Sequence, residues 1–158
     1  MKTLNYTHLL EAKAEKIINA LQQLLADYQI YYTNLRGYHW NIQGPDFFVL
    51  HSKFEELYND TAEKADQLAE RILMLGGVPV NNYSQYLQSS QIKEVSNVHS
   101  GDEALKQILN NYSHFISEER ALISLASEAG DEVTIAMLSD YLQEQEKMIW
   151  MLTASMSK

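Results

Sequence analysis

The chain lacks cysteine altogether and is poor in the residues that break helices. Its 158 residues include no Cys, 2 Pro and 6 Gly. The absence of cysteine excludes disulfide scaffolds, thiolate-bound zinc, iron–sulfur clusters and thiol catalysis. So few prolines and glycines disfavour a turn-rich β-sandwich and permit long helices. With 46% hydrophobic and 21% charged residues, the composition is that of a globular protein, and we expect a single domain over residues 1–158.

Positive charge is also scarce. Lysine and arginine number 12 against 21 aspartates and glutamates, which gives a formal net charge of −9. Such a surface repels the phosphate backbone of DNA unless a local basic arm compensates, and the two ends of the chain supply only Lys2 and Lys158. No apolar run approaches the roughly 18 residues of a membrane span, and no signal peptide is evident. We expect a cytoplasmic protein with weak or no DNA binding and no membrane contact.

Four breaks divide the chain into long segments. The breaks are Gly44–Pro45, Gly76–Gly77 with Pro79, Ser100–Gly101–Asp102 and Gly130–Asp131. Between them, apolar residues recur at steps of three and four, which is the spacing of one helix face. This pattern predicts four helices, the first two spanning about 7–39 and 47–75. A capping box of Ser100 and Glu103 begins the third helix.

The third helix is predicted to end at Gly130, and Asp131 suits the N-cap of the fourth. The predicted core face of the third helix comprises Leu105, Leu109, Tyr112, Ile116, Ile123 and Ala126. Residues 80–100 form a polar crossover between the second and third helices, long enough to carry a short extra helix. Ferritin-like folds need such a crossover, so we predict an all-α, ferritin-like four-helix bundle.

One flank of the second helix carries an unusual row of candidate metal ligands. At about 100° per residue, Glu55, Asp66 and Glu70 lie roughly 40°, 60° and 100° from His51, beside the apolar stripe. His39 ends the stripe of the first helix. Imidazoles and carboxylates without thiolates suit iron, manganese or zinc. Each acid alone is more typical of a solvated flank, and each histidine alone is more typical of a hydrogen-bonded core position, but their joint occurrence favours a metal site.

These residues cannot all reach one ion from one chain. Asp66 follows His51 by 15 residues, which is about 22 Å of helix, whereas metal–ligand bonds are about 2 Å long. Two antiparallel copies, related by a two-fold axis between Glu55 and Asp66, would bring His39, His51 and Glu55 to face Asp66 and Glu70 of the partner subunit. A two-fold interface makes such a site twice. The chain has no Glu-x-x-His motif, so it cannot build the usual di-iron site inside one subunit.

Several stretches of the sequence resemble the Dps proteins, also called mini-ferritins. The first is YHWNIQGP at residues 38–45, followed by Phe47–Phe48 and Leu50–His51. The second is ADQLAERI at residues 65–72, and the likeness extends to EKMIW at residues 146–150. The resemblance implies a hollow, spherical homododecamer of four-helix subunits, with ferroxidase centres at its two-fold interfaces.

The same resemblance implies an activity and a ligand set. Dps proteins oxidise Fe(II), preferably with hydrogen peroxide and more slowly with dioxygen, and store the ferric product as a mineral, which protects the cell and its DNA from oxidative damage. Each centre holds iron, and a two-iron site is expected. The matching positions are His39 and His51 for the histidine ligands, Asp66 and Glu70 for the partner's carboxylates, Glu55 for an acid near the iron, and Trp40 for the neighbouring aromatic that intercepts oxidising equivalents.

Other acids match positions that Dps shells use for iron entry and storage. The expected pore residues, near the start of the last helix, are Asp131, Glu132 and Asp140, and many relatives carry Asp where this chain has Ala136. Acids there are equally expected because the helix dipole favours negative charge at an N-terminus. The residues expected to nucleate mineral are Glu56, Asp60 and Glu63.

Two other functions stay open at this stage. The first is compaction of DNA by non-specific binding, but relatives that bind DNA often use a lysine-rich tail, which this acidic chain lacks. The second is a catalytically idle shell with vestigial ligands, against which the complete ligand set argues.

Overall fold

Six helices account for most of residues 3–157, the part of the chain that the computed structural model describes. They are α1 (Leu4–Thr7), α2 (Glu11–Asn41), α3 (Phe47–Met74), α4 (Tyr83–Ser89), α5 (Gly101–Ala129) and α6 (Glu132–Met156). The four long helices confirm the predicted all-α bundle. None of the described helices combines the length and hydropathy that crossing a membrane requires. Met1, Lys2 and Lys158, which include the terminal lysines considered above, lie outside the described residues.

The predicted ends of α5 and α6 are confirmed. The Ser100 hydroxyl accepts a hydrogen bond from the Glu103 amide at 3.4 Å and caps α5. The Asp131 carboxylate accepts one from the Thr134 amide at 3.0 Å and caps α6. Between the two helices, Gly130 has a φ of +73°, a left-handed conformation that glycine adopts without steric cost. These contacts fix the tight turn that makes α5 and α6 antiparallel neighbours.

The buried face of α5 differs from the predicted stripe by about one residue. Its buried residues are Ala104, Ile108, Tyr112, Phe115, Glu119, Leu122 and Ala126, whereas Leu105, Leu109, Ile116 and Ile123 are only half-buried. One residue is about 100° of rotation around the helix. The prediction was wrong here because a small residue and an acid, Ala104 and Glu119, occupy core positions that the spacing of large apolar residues does not reveal.

Polar side chains of α2 hold the crossover against the bundle. Asp27 accepts hydrogen bonds from the Ser90 hydroxyl at 2.8 Å and the Gln91 amide at 2.7 Å. Asn34 donates to the Lys93 carbonyl at 2.8 Å and accepts from the Val95 amide at 3.1 Å. The short α4 confirms the helix expected in this segment, and it packs against α2. Side chains of α2 therefore satisfy backbone groups that the irregular crossover would otherwise leave unpaired.

Candidate metal centre

His39 and His51 form a reciprocal pair where α2 ends and α3 begins. The Nδ1 of His39 donates to the backbone carbonyl of His51 at 2.8 Å, and the Nδ1 of His51 donates to the carbonyl of His39 at 2.8 Å. Their rings stack with centroids 3.8 Å apart. The His39 carbonyl belongs to the last turn of α2, where carbonyls lack helical partners. If the helix continued, the Gln43 amide would donate to this carbonyl, but it donates to the His99 carbonyl instead. The His51 ring supplies the missing donor.

This pairing decides which ring nitrogen of each histidine is free. A carbonyl oxygen only accepts, so Nδ1 must carry the proton in both rings. In the neutral form the lone pair then lies on Nε2, which is the nitrogen left for a metal. Metal-ligating histidines characteristically donate their other ring N–H to a carbonyl or carboxylate in this way. The fold thus fixes the orientation of both imidazoles and leaves each Nε2 out of these hydrogen bonds.

Aromatic rings and one acid surround the histidine pair. Phe47 stacks on His51 with ring centroids 5.0 Å apart, and Tyr58 meets His39 edge-on at 5.4 Å. The Tyr58 hydroxyl lies 3.5 Å from the Glu55 carboxylate, and Glu55 follows His51 by four residues on α3, which places both on the same side of the helix. Tyr58 is a functional neighbour that the sequence analysis missed, and its position one helical turn from Glu55 was the only signal that could have found it.

Asp66 and Glu70 lie at the far end of the same unbroken helix. Both are exposed, and α3 runs without interruption from Phe47 to Met74, so the separation of about 22 Å between His51 and Asp66 holds. In residues 3–157, no three His, Asp or Glu side chains converge as ligands of one ion would. The structure therefore keeps the predicted ligands in two separate candidate groups, the histidine half-site (His39 and His51, with Glu55 on the next turn of α3) and the carboxylate half-site (Asp66 and Glu70), neither of which is a complete ion site within one chain.

Exposed apolar side chains flank the histidine half-site. Phe48 is 83% exposed and Trp40 is 62% exposed, which is unusual for aromatic residues of this size. The Arg36 guanidinium lies 4.5 Å from the centroid of the Trp40 ring and 5.4 Å from that of Tyr32. Clustered exposed aromatic residues mark interaction surfaces. The surface beside the half-site therefore has the character of a contact with another chain.

The Asp131 carboxylate is buried and paired, so it is not available to line a pore as the sequence analysis expected. Its carboxylate is buried and accepts a hydrogen bond from the Arg71 guanidinium at 2.6 Å and from the Thr134 hydroxyl at 2.6 Å. Hydrogen bonds from Arg71 and Thr134 outweigh the effect of burial and lower the pKa of Asp131. Glu132 and Asp140 are exposed, on the same face as Ala136. Asp131 thus ties α6 to α3, and only the other two acids remain available.

The other acids lie along the groove between α3 and α6. Asp60, Glu63 and Asp140 line one cavity of about 230 Å³, so the structure brings one expected pore residue beside two expected nucleation residues. Lys64 pairs with Asp60, and Lys53 pairs with Glu56. These lysines partly neutralise the surface that was expected to collect iron.

Glu119 lies in the centre of the bundle, far from water. Its Oε1 accepts hydrogen bonds from the Tyr28 hydroxyl at 2.8 Å and the Gln145 amide at 2.8 Å. Burial raises the pKa of Glu119 from 4.5 to about 7, although both hydrogen bonds oppose the shift. These hydrogen bonds and its complete burial hold Glu119 as an acid of the bundle core.

The substitution Glu119→Gln is expected to stabilise the protein at about pH 8 and to flatten its stability below pH 7. A raised pKa in the folded state penalises the ionised form, so the contribution of Glu119 to stability is fully present below its unfolded pKa and is lost as pH rises through about 7. The shift of the Glu119 pKa from 4.5 to about 7 corresponds to a loss of stability on the order of 3 kcal/mol at pH 8. Denaturant unfolding from pH 5 to 8 measures it, with the exposed Glu128→Gln on the same helix as control. Equal effects of the two substitutions at pH 8 would contradict the assignment.

Both the sequence and the fold of this chain are similar to those of known ferritin-like proteins. Residues 18–158 match the ferritin family model, described as a ferritin-like domain. The DNA protection during starvation protein of Porphyromonas gingivalis is 45% identical over 157 residues, which cover 99% of each chain. The crystal structure of a Dps protein from Vibrio cholerae, a member of a broad superfamily of ferritin-like diiron-carboxylate proteins, superposes with a TM-score of 0.93 at 47% identity and covers 94% of each chain. A Dps protein from Bacillus brevis gives a TM-score of 0.89 at 34% identity, over 92% of this chain and 98% of that one.

Proposed function

Because the chain belongs to the Dps family of ferritin-like proteins, we propose that it oxidises Fe(II) and retains the ferric product inside a protein shell. Hydrogen peroxide is the preferred oxidant and dioxygen the slower one. The observation that carries the proposal is the reciprocal bonding of His39 and His51, which leaves both Nε2 atoms free as ligands. Removal of iron and peroxide together would protect the cell and its DNA.

Iron is the substrate, and the two half-sites supply complementary ligands for it. His39 and His51 hold Fe(II) because imidazole is largely neutral near physiological pH. Asp66 and Glu70 of the partner subunit, with Glu55, provide the hard, charged oxygens that stabilise Fe(III). Trp40, beside the pair in sequence and exposed, is placed to take up stray oxidising equivalents.

The proposed reaction balances without forming a hydroxyl radical. Two Fe(II) ions give up two electrons, one hydrogen peroxide accepts both, and its O–O bond breaks. With two further waters, the products are two FeO(OH) units and four protons. A centre that holds two irons therefore matches the electron demand of one peroxide, which a single iron cannot meet in one step.

The assembly that completes the centre is a dimer of antiparallel α3 helices within a homododecamer. The exposed Phe48 and Trp40 beside the histidine half-site support a second copy there, since burying them in a subunit contact removes apolar surface from water. Each copy acts as one ferritin-like domain. We place this shell in the bacterial cytoplasm, as expected for an iron store.

Anaerobic titration with Fe(II), followed by stoichiometric peroxide, tests the proposal. We expect saturable Fe(II) binding, rapid consumption of one peroxide for two irons, and iron that co-elutes with the assembled protein in size-exclusion chromatography. Released hydroxyl radical, detected by spin trapping, should stay near background. Iron that oxidises no faster than in buffer, or that elutes apart from the protein, would exclude a ferroxidase shell.

Compaction of DNA by direct contact is the alternative, and the charge of the chain disfavours it. With 12 basic residues against 21 acidic ones, few phosphate counterions can be released on binding. We expect little retardation of duplex DNA in a gel-shift titration with chelator at about 0.15 M salt and neutral pH. Tight binding that weakens steeply with salt would instead restore protection by contact.

A further inference from the structure

Each end of α3 carries an exposed apolar side chain on the face that holds the proposed ligands. Phe48, near the start of the helix, is 83% exposed, and Leu73, near its end, is 52% exposed. At about 100° per residue, Phe48 and Leu73 lie roughly 60° and 40° around the helix from His51. Both angles fall within the arc of the ligand row. A single exposed apolar residue needs no explanation, so the significance of these two depends on whether the proposed interface brings them together.

The proposed two-fold alignment of α3 does bring them together. Phe48 precedes Glu55 by seven residues, and Leu73 follows Asp66 by seven residues. Seven residues make about two helical turns, so the antiparallel alignment that sets Glu55 opposite Asp66 of the partner subunit also sets Phe48 opposite Leu73 of the partner subunit. Within one chain, Leu73 follows Phe48 by 25 residues, which is about 38 Å of helix. Only a second copy can therefore bring these two side chains into contact.

Leu73 also forms part of a recess beside the end of α3. The recess has a volume of about 540 Å³ and lies between this end of α3 and the N-terminal part of α2. Its apolar lining includes Leu4, Ile18 and Leu75. Subunit contacts reach the packing density of protein interiors only when side chains of one copy fill hollows of the other. The exposed ring of Phe48 is a side chain of the kind that such a hollow requires.

We propose that Phe48 of one copy packs against Leu73 of the partner subunit at this recess, so that an apolar clasp closes each end of the paired α3 helices. The clasp rests on the two-fold centre of the proposed function and goes beyond it, because neither residue is a proposed ligand. Its role is to fix the alignment of the two helices. A slip of one turn, about 5.4 Å, would separate ligands whose bonds to a metal are only about 2 Å long.

Paired cysteines test the contact directly, because the native chain has no cysteine. A disulfide requires Cα atoms within about 7 Å. Mild oxidation of the iron-free variant with Phe48→Cys and Leu73→Cys should therefore join most subunits into covalent dimers, which a denaturing gel measures. Either substitution alone should give no covalent dimer, because the alignment keeps the two copies of each residue about 38 Å apart.

The combination of Glu56→Cys with Leu73→Cys is the matched control. Glu56 is exposed on the same helix, but it follows Phe48 by eight residues, about 12 Å along the axis. The alignment therefore keeps it beyond the reach of a disulfide with Leu73 of the partner subunit, and this variant should stay largely unlinked.

Charge substitutions provide a second, independent test. Phe48→Lys or Leu73→Glu alone should weaken association of the iron-free subunits at least about tenfold, because each puts a charge into an apolar contact. Combined in one chain, they place opposite charges together across the interface and should tighten association at least about fivefold over either single variant. Phe48→Lys with Val133→Glu introduces the same charges but places the acid at an exposed valine of α6, and it should show no recovery. Sedimentation equilibrium measures association.

Both tests are made without iron, so they separate the clasp from the proposed activity. If the paired-cysteine variant cross-links no better than the Glu56→Cys control, or if the combined charge variant associates no better than the single ones, the clasp is wrong even when the native chain oxidises Fe(II). Efficient and specific cross-linking in a protein whose native chain fails to oxidise Fe(II) would support the clasp and overturn the proposed function instead.

Discussion

Replacing His39 and His51 together by alanine is expected to slow Fe(II) oxidation by more than about a hundredfold. Loss of a group that merely orients a metal ligand typically costs 10- to 100-fold, and this double substitution removes two direct ligands. The fold should survive, because the rings contribute two part-buried hydrogen bonds to backbone carbonyls, each worth about 1 kcal/mol. Stopped-flow absorbance of ferric iron after peroxide addition measures the rate.

His99→Ala is the matched control for this experiment. The Nδ1 of His99 donates to the Asn41 carbonyl at 2.8 Å, so the control also removes a ring-to-backbone hydrogen bond at the end of α2. It lies outside the proposed ligand set and should leave the oxidation rate unchanged. If the double variant assembles and oxidises iron at the wild-type rate, the histidine pair is not the site.

The ends of α3, α5 and α6 could be predicted because local sequence determines them, whereas the predicted start of the first long helix near residue 7 was wrong: α1 ends at Thr7 and α2 begins at Glu11. Glycine, proline and capping residues punctuate long amphipathic segments, and Ser100, Gly130 and Asp131 occupy the caps that their side chains favour. The histidine-to-carboxylate spacing along α3 was equally accessible, because a continuous helix converts residue number into distance.

Contacts between residues far apart in the sequence could not be predicted in this way. Asp131 was expected near a pore because it is an acid near the start of a helix, yet Arg71, 60 residues away, neutralises it. Glu119 lies on the buried face of α5 because Tyr28 and Gln145 satisfy one of its oxygens. The protonated Nδ1 atoms of His39 and His51 likewise depend on carbonyls 12 residues apart. Each of these features requires a partner that periodicity cannot identify.

Subunit mixing is expected to restore activity to two inactive variants. One variant lacks the histidine half-site (His39→Ala with His51→Ala), and the other lacks the carboxylate half-site (Asp66→Ala with Glu70→Ala). In a hybrid dimer, one centre combines the intact halves of both subunits, and the other centre combines both defective halves. Random pairing of equal amounts makes half of the dimers hybrid, so about a quarter of the wild-type centres should be active.

The recovery distinguishes a shared site from one within a single chain. If all ligands came from the same chain, every centre in the mixture would stay defective, and the mixture would be as inactive as its parts. Mixing His39→Ala subunits with His51→Ala subunits provides the control, because both substitutions damage the same half-site and no hybrid centre is intact.

After dissociation and reassembly, native mass spectrometry verifies the hybrids and peroxide-dependent iron oxidation measures the activity. Recovery in the first mixture but not in the second requires that Asp66 and Glu70 act across the interface, as the 15-residue separation of His51 and Asp66 along α3 demands. An inactive first mixture with verified hybrids would instead place the ligands within one chain and contradict the proposed two-fold centre.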